Sequence, residues 1–259
     1  MIPTQPREYH YPFYRIDEIR NRPSMVGSGI LLKFREYRFL LSAAHVFDEM
    51  GNSLSFPEIG IEAPVAVEVT TSGLPTSGRK DDVIDVGIAR LPEDVALLLE
   101  RRFKFISIEN IDTNDRYEDS KKYCFTGFPA TQSRVRYPAR AIDIDCYEYR
   151  LDAYEISNES QPWHPSLHLA GYFERENMRH LGGVRITAPE PQGISGGGVW
   201  TYDETRGYKL VGIGTNWDVN YNILVGVRIG AWMCFIRQKY PELIAYFPSD
   251  PRIAIRFES

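Results

Sequence analysis

Three short segments of this 259-residue chain carry side chains that could perform covalent chemistry together. Leu41-Ser42-Ala43-Ala44-His45 sets a histidine just beyond an apolar strand, where two alanines let the chain turn tightly into a short helical stretch. Asp85-Val86-Gly87-Ile88-Ala89 sets a carboxylate at the mouth of an apolar strand. Gly193-Ile194-Ser195-Gly196-Gly197-Gly198 sets a serine among residues that permit unusual backbone angles and close approach of another molecule. A neutral hydroxyl is too weak a nucleophile to open an amide, so the serine needs a base within hydrogen-bond reach. His45 suits that base, and Asp85 suits the carboxylate that fixes the imidazole tautomer and stabilises the imidazolium. The backbone N–H groups of Gly193 and Ser195 are then candidates to receive the charge that develops on a carbonyl oxygen.

Alone, Gly193-Ile194-Ser195-Gly196-Gly197 also satisfies the G-x-S-x-G elbow of α/β-hydrolases. Chain order separates the two readings. The histidines are His10, His45, His164, His168 and His180, and none follows Ser195 as the order serine, acid, histidine requires. The subtilisin order needs its acid first, and among the aspartates only Asp17 precedes His45, in a polar stretch without strand context. Histidine, then aspartate, then serine remains. Asp81 and Asp82 stay open as rivals to Asp85, which is favoured because it leads directly into the apolar strand. His10, His164, His168 and His180 read as satisfied core histidines, and a turn serine at 195 would leave its agreement with the other two segments accidental.

The elements that must position these residues show short apolar-alternating runs with turn signals between them, the pattern of an all-β sandwich or barrel. Residues 26–34 lead through Arg35-Glu36 into 37–41 as a hairpin, and 64–71 put Val65, Val67 and Val69 on one face. Strands over 85–91, 103–108 and 123–128 follow, then 141–149, 167–172, 199–202, 210–216 and 223–229. Beyond Ile229, the run Ala231, Trp232, Cys234, Phe235 and Ile236 ahead of Arg237-Gln238-Lys239 suits a helix that Pro241 ends. Residues 112–122 and 158–165 are polar and read as loops.

Composition narrows the function classes. Apolar residues at 43% can bury a sizeable core without metal or disulfide support. A formal charge of -5 offers no footprint for nucleic acid, which demands clustered Lys and Arg. No run of eighteen apolar residues suggests a membrane span, and the N-terminus lacks a secretory pattern. Three widely spaced cysteines, Cys124, Cys146 and Cys234, argue against a disulfide framework and a CxxC metal site, so buried thiols in a cytoplasmic protein are expected.

LSAAH, DVGIARL and GISGGGVW, in that order and followed by LVGIG and LVGVRI, resemble the signature segments of trypsin-like serine peptidases over residues 25 to 240. The absence of disulfides, GGG in place of GGP and the simple N-terminus look more like the bacterial and intracellular members. The resemblance implies two six-stranded antiparallel β-barrels of the chymotrypsin-like kind with a C-terminal α-helix. The expected layout is an N-terminal segment over 1–24, a peptidase domain over 25–245 and a tail over 246–259. Within the domain the first barrel covers about 25–115, the second about 120–230 and the helix about 230–240. The implied activity is that of a serine endopeptidase forming an acyl-enzyme on Ser195, with His45 as base, Asp85 orienting it, and Gly193 and Ser195 as oxyanion donors. Neither a metal nor an organic cofactor is implied. Pro189, Glu190, Pro191 and Gln192, with the strand Gly214-Thr215-Asn216-Trp217, should line the substrate pocket. Glu190 would attract Lys or Arg, whereas Trp217, where the family often has glycine, would narrow the pocket to small side chains.

Animal members carry an aspartate just before the nucleophile, and here Ile194 stands there without an Ile-Val-Gly-Gly activation segment. Zymogen activation of that kind is therefore not expected. A cytoplasmic protease needs restraint, which suggests a protein or peptide substrate of narrow choice, an activating partner, and a role such as a bacterial defence effector. The competing class is a catalytically silent pseudoprotease whose cleft binds peptides or proteins.

Overall fold

A strand as long and apolar as Arg22–Phe34 leaves two rows of backbone donors and acceptors to satisfy, and neighbours pair with it along both edges. In the computed structural model of the protein, residues 5–17, 22–51, 53–118, 121–132, 134–136, 141–143, 145–157, 161–179, 185–205 and 207–247 are described. His180 and residues 248–259 of the expected tail lie outside them. β1 (His10–Asp17) and β3 (Tyr37–Ala43) flank β2 (Arg22–Phe34) in antiparallel register. Arg35, at φ 57°, turns the expected β2–β3 hairpin. Residues 10–17, set apart in the sequence as an N-terminal segment, thus form a strand of the first sheet.

The rest of the N-terminal half comprises β4 (Ser53–Phe56), β5 (Ile61–Ala66), β6 (Glu68–Thr71), β7 (Val86–Arg90) and β8 (Ile106–Ser107). The expected first six-stranded barrel is not shown. Among the described residues this half is a six-stranded sheet of order β1-β2-β3-β7-β6 with β8 on β2, not a closed barrel. β4 and β5 pair with each other instead. The run expected as one strand over 64–71 breaks at Val67 into β5 and β6. Pro64 within β5 brings no N–H to a ladder, which disfavours a continuous paired edge there. The expected single face survives the break, because Val65, Val67 and Val69 all pack into the same apolar cluster.

The C-terminal half does close. β9 (Lys122–Gly127), β12 (Tyr147–Tyr154), β13 (His168–Tyr172), β16 (Gly198–Asp203), β17 (Gly207–Asp218) and β18 (Ile223–Arg228) form a barrel in the order β12-β13-β18-β17-β16-β9. β10 (Arg134–Arg136) pairs with β11 (Ala141–Asp143), and β14 (Met178–Arg179) with β15 (Arg185–Ile186), as separate two-stranded ribbons. Alternate residues Tyr123 and Phe125, Tyr149 and Leu151, and Val199 fill one cluster, the period-2 arrangement a barrel interior requires.

Helix α1 (Ala44–Met50) follows β3 directly, and α3 (Ile229–Lys239) follows β18. α3 buries Ala231, Trp232 and Ile236 in a cluster shared with Ile30, Leu41 and Ile88 of the sheet and Leu210, Ile213 and Val227 of the barrel. At roughly 1.5–3 kcal/mol for each large apolar side chain buried, this helix is a substantial tie between the halves. A helix absent from the sequence reading, α2 (Glu93–Glu100), starts after Pro92 with Glu93 and Asp94 in its first turn, where carboxylates favour the helix dipole, and buries Val95, Ala96 and Leu99. No disulfide joins Cys124, Cys146 and Cys234. No helix among the described residues is long and apolar enough to cross a membrane.

Candidate active site

β3 ends at Ala43, and the fully buried Ala43 and Ala44 let α1 start with His45 as its second residue. The first N–H groups of a helix have no partner within it. Here Asp85 supplies both acceptors: its carbonyl takes the Ala44 N–H at 3.1 Å and its Oδ1 takes the His45 N–H at 3.0 Å. Its other oxygen, Oδ2, accepts a hydrogen bond from His45 Nδ1 at 2.7 Å. One carboxylate therefore caps the helix that carries the histidine and fixes the histidine's ring.

Asp85 sits at φ 43°, a left-handed conformation uncommon outside glycine, immediately before β7. The neighbouring segment over-determines that turn. Ser72 N–H donates to Val86 O at 2.7 Å, Val86 N–H donates to Ser72 Oγ at 3.1 Å, and the Ser72 hydroxyl donates to Asp82 Oδ2 at 2.6 Å. Asp82 is committed to that network, since it also receives Arg79 Nη1 at 2.6 Å and the Ile84 N–H at 3.0 Å. Asp81 is exposed in a 3-10 turn. Of the three aspartates, Asp85 is the one bonded to His45.

Burial alone would lower the His45 pKa, but the hydrogen bond and charge of Asp85, with Glu49 and Asp48 nearby, outweigh it and hold the imidazole above its ordinary value. Burial pushes Asp85 upward, opposed by its bonds from His45. The pair is a carboxylate holding a proton on the histidine more tightly than water would, the condition that favours an imidazolium formed during proton transfer.

Ser195 comes from the other half, on the loop that follows β15 and leads into β16. Gly193 and Gly196 have φ of 92° and 87°, so side chains there would be strained, and a Cβ on Gly196 would collide with Ser28 O and Ser42 Oγ. Ile194 N–H donates to Pro191 O at 3.1 Å, closing a four-residue turn whose third residue is Gly193, the type II arrangement. Gln192 C=O accepts Ala130 N–H at 2.7 Å. Because a trans peptide points its C=O and N–H in opposite directions, the Gly193 N–H is directed away from Ala130. Among the described residues neither the Gly193 nor the Ser195 N–H meets an acceptor.

Ser195 Oγ donates to Thr215 O at 3.4 Å, a long contact, and makes no hydrogen bond with His45. His45, Asp85 and Ser195 nonetheless line one cleft of about 400 Å³. Gln192, Thr215, Asn216 and Trp217 line it too, with Phe125, Ile194 and Val225 as apolar walls. Pro191 belongs to the same wall, whereas Pro189 and Glu190 do not. Pro189 O accepts the Tyr149 hydroxyl at 3.3 Å, and Glu190 pairs with Arg175 Nη1 at 2.8 Å. Trp217 is braced edge-on by Phe173, with ring centroids 6.0 Å apart. Two larger hollows, of about 920 and 530 Å³, lie elsewhere, lined largely by charged residues without a nucleophile and base in contact.

His10 and His168, read as satisfied core histidines, are buried and hydrogen-bonded, whereas His164, read the same way, is exposed; sequence reasoning missed the partners through which the buried polar residues tie the halves together. His168 Nε2 bonds Val83 O at 2.6 Å, joining β13 to the segment leading into Asp85. His10 accepts Gly198 N–H on Nε2 at 3.1 Å while its Nδ1 faces Pro6 O at 3.0 Å, and burial pushes its pKa down to about 4, keeping it neutral. Ser28 and Ser42 are fully buried in otherwise apolar strands. Their signal was a polar residue inside a continuously buried run.

No family model matches this chain, and no curated protein matches it. Solved structures do. Neuropsin, a serine protease expressed in the limbic system of mouse brain, superposes with a TM-score of 0.51 at 15% identity, covering 92% of this chain and 96% of neuropsin. The serine protease domain of the Sesbania mosaic virus polyprotein superposes with a TM-score of 0.43 at 17% identity over 90% of this chain and 97% of that one. A second structure, from work on the coupled folding and binding of that virus's intrinsically disordered VPg protein, gives 0.43 and 17% over 90% and 95%. The fold is consistent with that of chymotrypsin-like serine proteases.

Proposed function

We propose that this protein is a serine endopeptidase that cleaves peptide bonds through an acyl-enzyme on Ser195. The observation that carries the reading is the 2.7 Å bond from His45 Nδ1 to Asp85 beside a glycine-flanked serine in the same cleft. With Nδ1–H committed to Asp85, His45 Nε2 is the free base. Rotation of Ser195 Oγ from Thr215 O toward that nitrogen lets the histidine take the hydroxyl proton as oxygen attacks the carbonyl carbon. The Gly193 and Ser195 N–H groups receive the resulting oxyanion. The proton then passes from Nε2 to the leaving amine, and water repeats the sequence to free Ser195. Such bonds are often loose in unliganded enzymes and tighten with substrate, which accommodates the 3.4 Å contact to Thr215.

The cleft's chemistry favours a small, uncharged residue ahead of the scissile bond. Glu190 is occupied by Arg175, which removes the attraction for Lys or Arg, and Trp217 stands on the wall with its ring braced.

The engagement of Ser195 with Thr215 also favours a second reading, a peptide-binding module with a silent serine. Labelling of the purified protein with a fluorophosphonate at neutral pH, beside Ser195→Ala and His45→Ala, separates the two. An endopeptidase takes label that both variants lose; a binding module takes none.

A further inference from the structure

One buried residue outside the triad donates both its backbone N–H and its hydroxyl to the serine loop. Ser28 belongs to β2 of the N-terminal sheet and is fully buried. Its N–H donates to Ser195 O at 2.7 Å and its hydroxyl donates to Gly193 O at 2.8 Å. The same Oγ accepts Phe128 N–H at 2.9 Å, and its carbonyl accepts the Ser42 hydroxyl at 2.7 Å. The residue thus spans β2, β3, the end of β9 and the turn that carries Gly193.

The consequence lies in the peptide planes. Ala130 holds the Gln192 carbonyl and Ser28 holds the Gly193 carbonyl, so both planes meeting at the Gly193 Cα are fixed. A glycine at φ 92° has no side chain to resist rotation, so its N–H direction depends on these anchors. Ser28 Oγ also steadies the segment that supplies Ala130, through Phe128.

We propose that Ser28 is a positioning residue that, through the Gly193 carbonyl, keeps the Gly193 N–H directed at the oxyanion; the proposal rests on the serine-peptidase reading. Ser28 touches no reacting atom. Its effect falls on a group used in the transition state, so it alters the rate of the bond-forming step rather than binding.

The test is fluorophosphonate labelling of full-length wild type, Ser28→Ala and Ser28→Cys, resolved into a limiting rate constant and a half-saturating probe concentration, with thermal unfolding of each. Ser28→Ala should lower the limiting rate roughly ten- to hundredfold with half-saturation within about twofold of wild type, less than the loss from deleting an oxyanion donor outright. Ser28→Cys keeps a side-chain donor on a somewhat larger and weaker hydrogen-bonding atom, so its limiting rate should fall between the two. If the alanine variant does not fold, the cysteine variant decides alone. A limiting rate within about twofold of wild type in a folded variant, or a loss confined to half-saturation, overturns the role of Ser28 and leaves the peptidase reading intact. A wild type that takes no label overturns the peptidase reading itself, and the proposal with it.

Discussion

The two halves of this molecule bring their parts of the site to different degrees of completion. The N-terminal sheet is open, yet its His45 and Asp85 are already locked at 2.7 Å, because Asp85 caps α1 and Ser72 and Asp82 fix the turn that carries it. The C-terminal half is a closed barrel, yet Ser195 is loosely engaged, 3.4 Å from Thr215 O and without a bond to His45. Closure of a barrel therefore does not by itself bring the Ser195 hydroxyl into contact with His45. Position comes from the seam, where Ser28 grips the serine loop, His168 grips the segment before Asp85, and Trp232 of α3 donates to Gly87 O at 3.2 Å.

The comparison breaks most severely if the locked half is disarmed. Asp85→Asn keeps the shape but removes the charge and allows the wrong histidine tautomer, and should lower kcat by about 10⁴-fold on any cleaved peptide. Circular dichroism and unfolding should show the fold retained. A variant within tenfold of wild type would show that the bond to Asp85 serves only to cap α1.

The smallest expected effect lies on the wall of the loosely engaged half. Trp217→Gly should shift preference from small toward bulky residues ahead of the scissile bond by about tenfold or more in kcat/KM ratios, read from cleavage of a peptide library. An unchanged preference would place the specificity wall elsewhere in the cleft.

Sequence alone disclosed what is local. Glycines around Ser195, alanines before His45 and the apolar strand after Asp85 mark their own backbone needs, and period-2 runs located most strands of both halves. What it missed depends on remote partners. Ser28 meets Gly193 165 positions away, a pairing that no spacing rule reports. Glu190 looked like a lure for basic residues because Arg175, which neutralises it, comes from a separate segment. The break at Val67 turns on pairing between strands, whereas α2 carries a local signal in Pro92, Glu93 and Asp94 ahead of an apolar face.

The central claim is that His45, its proton held by Asp85, is the base for Ser195. The most direct measurement is the rate of Ser195 phosphonylation by a fluorophosphonate from about pH 5 to about pH 9. Below the His45 pKa the imidazole is protonated and cannot accept a proton, so the rate should rise with pH through a midpoint above the ordinary histidine value of 6.5. A flat profile, a midpoint below that value, or label that persists in Ser195→Ala would contradict the account.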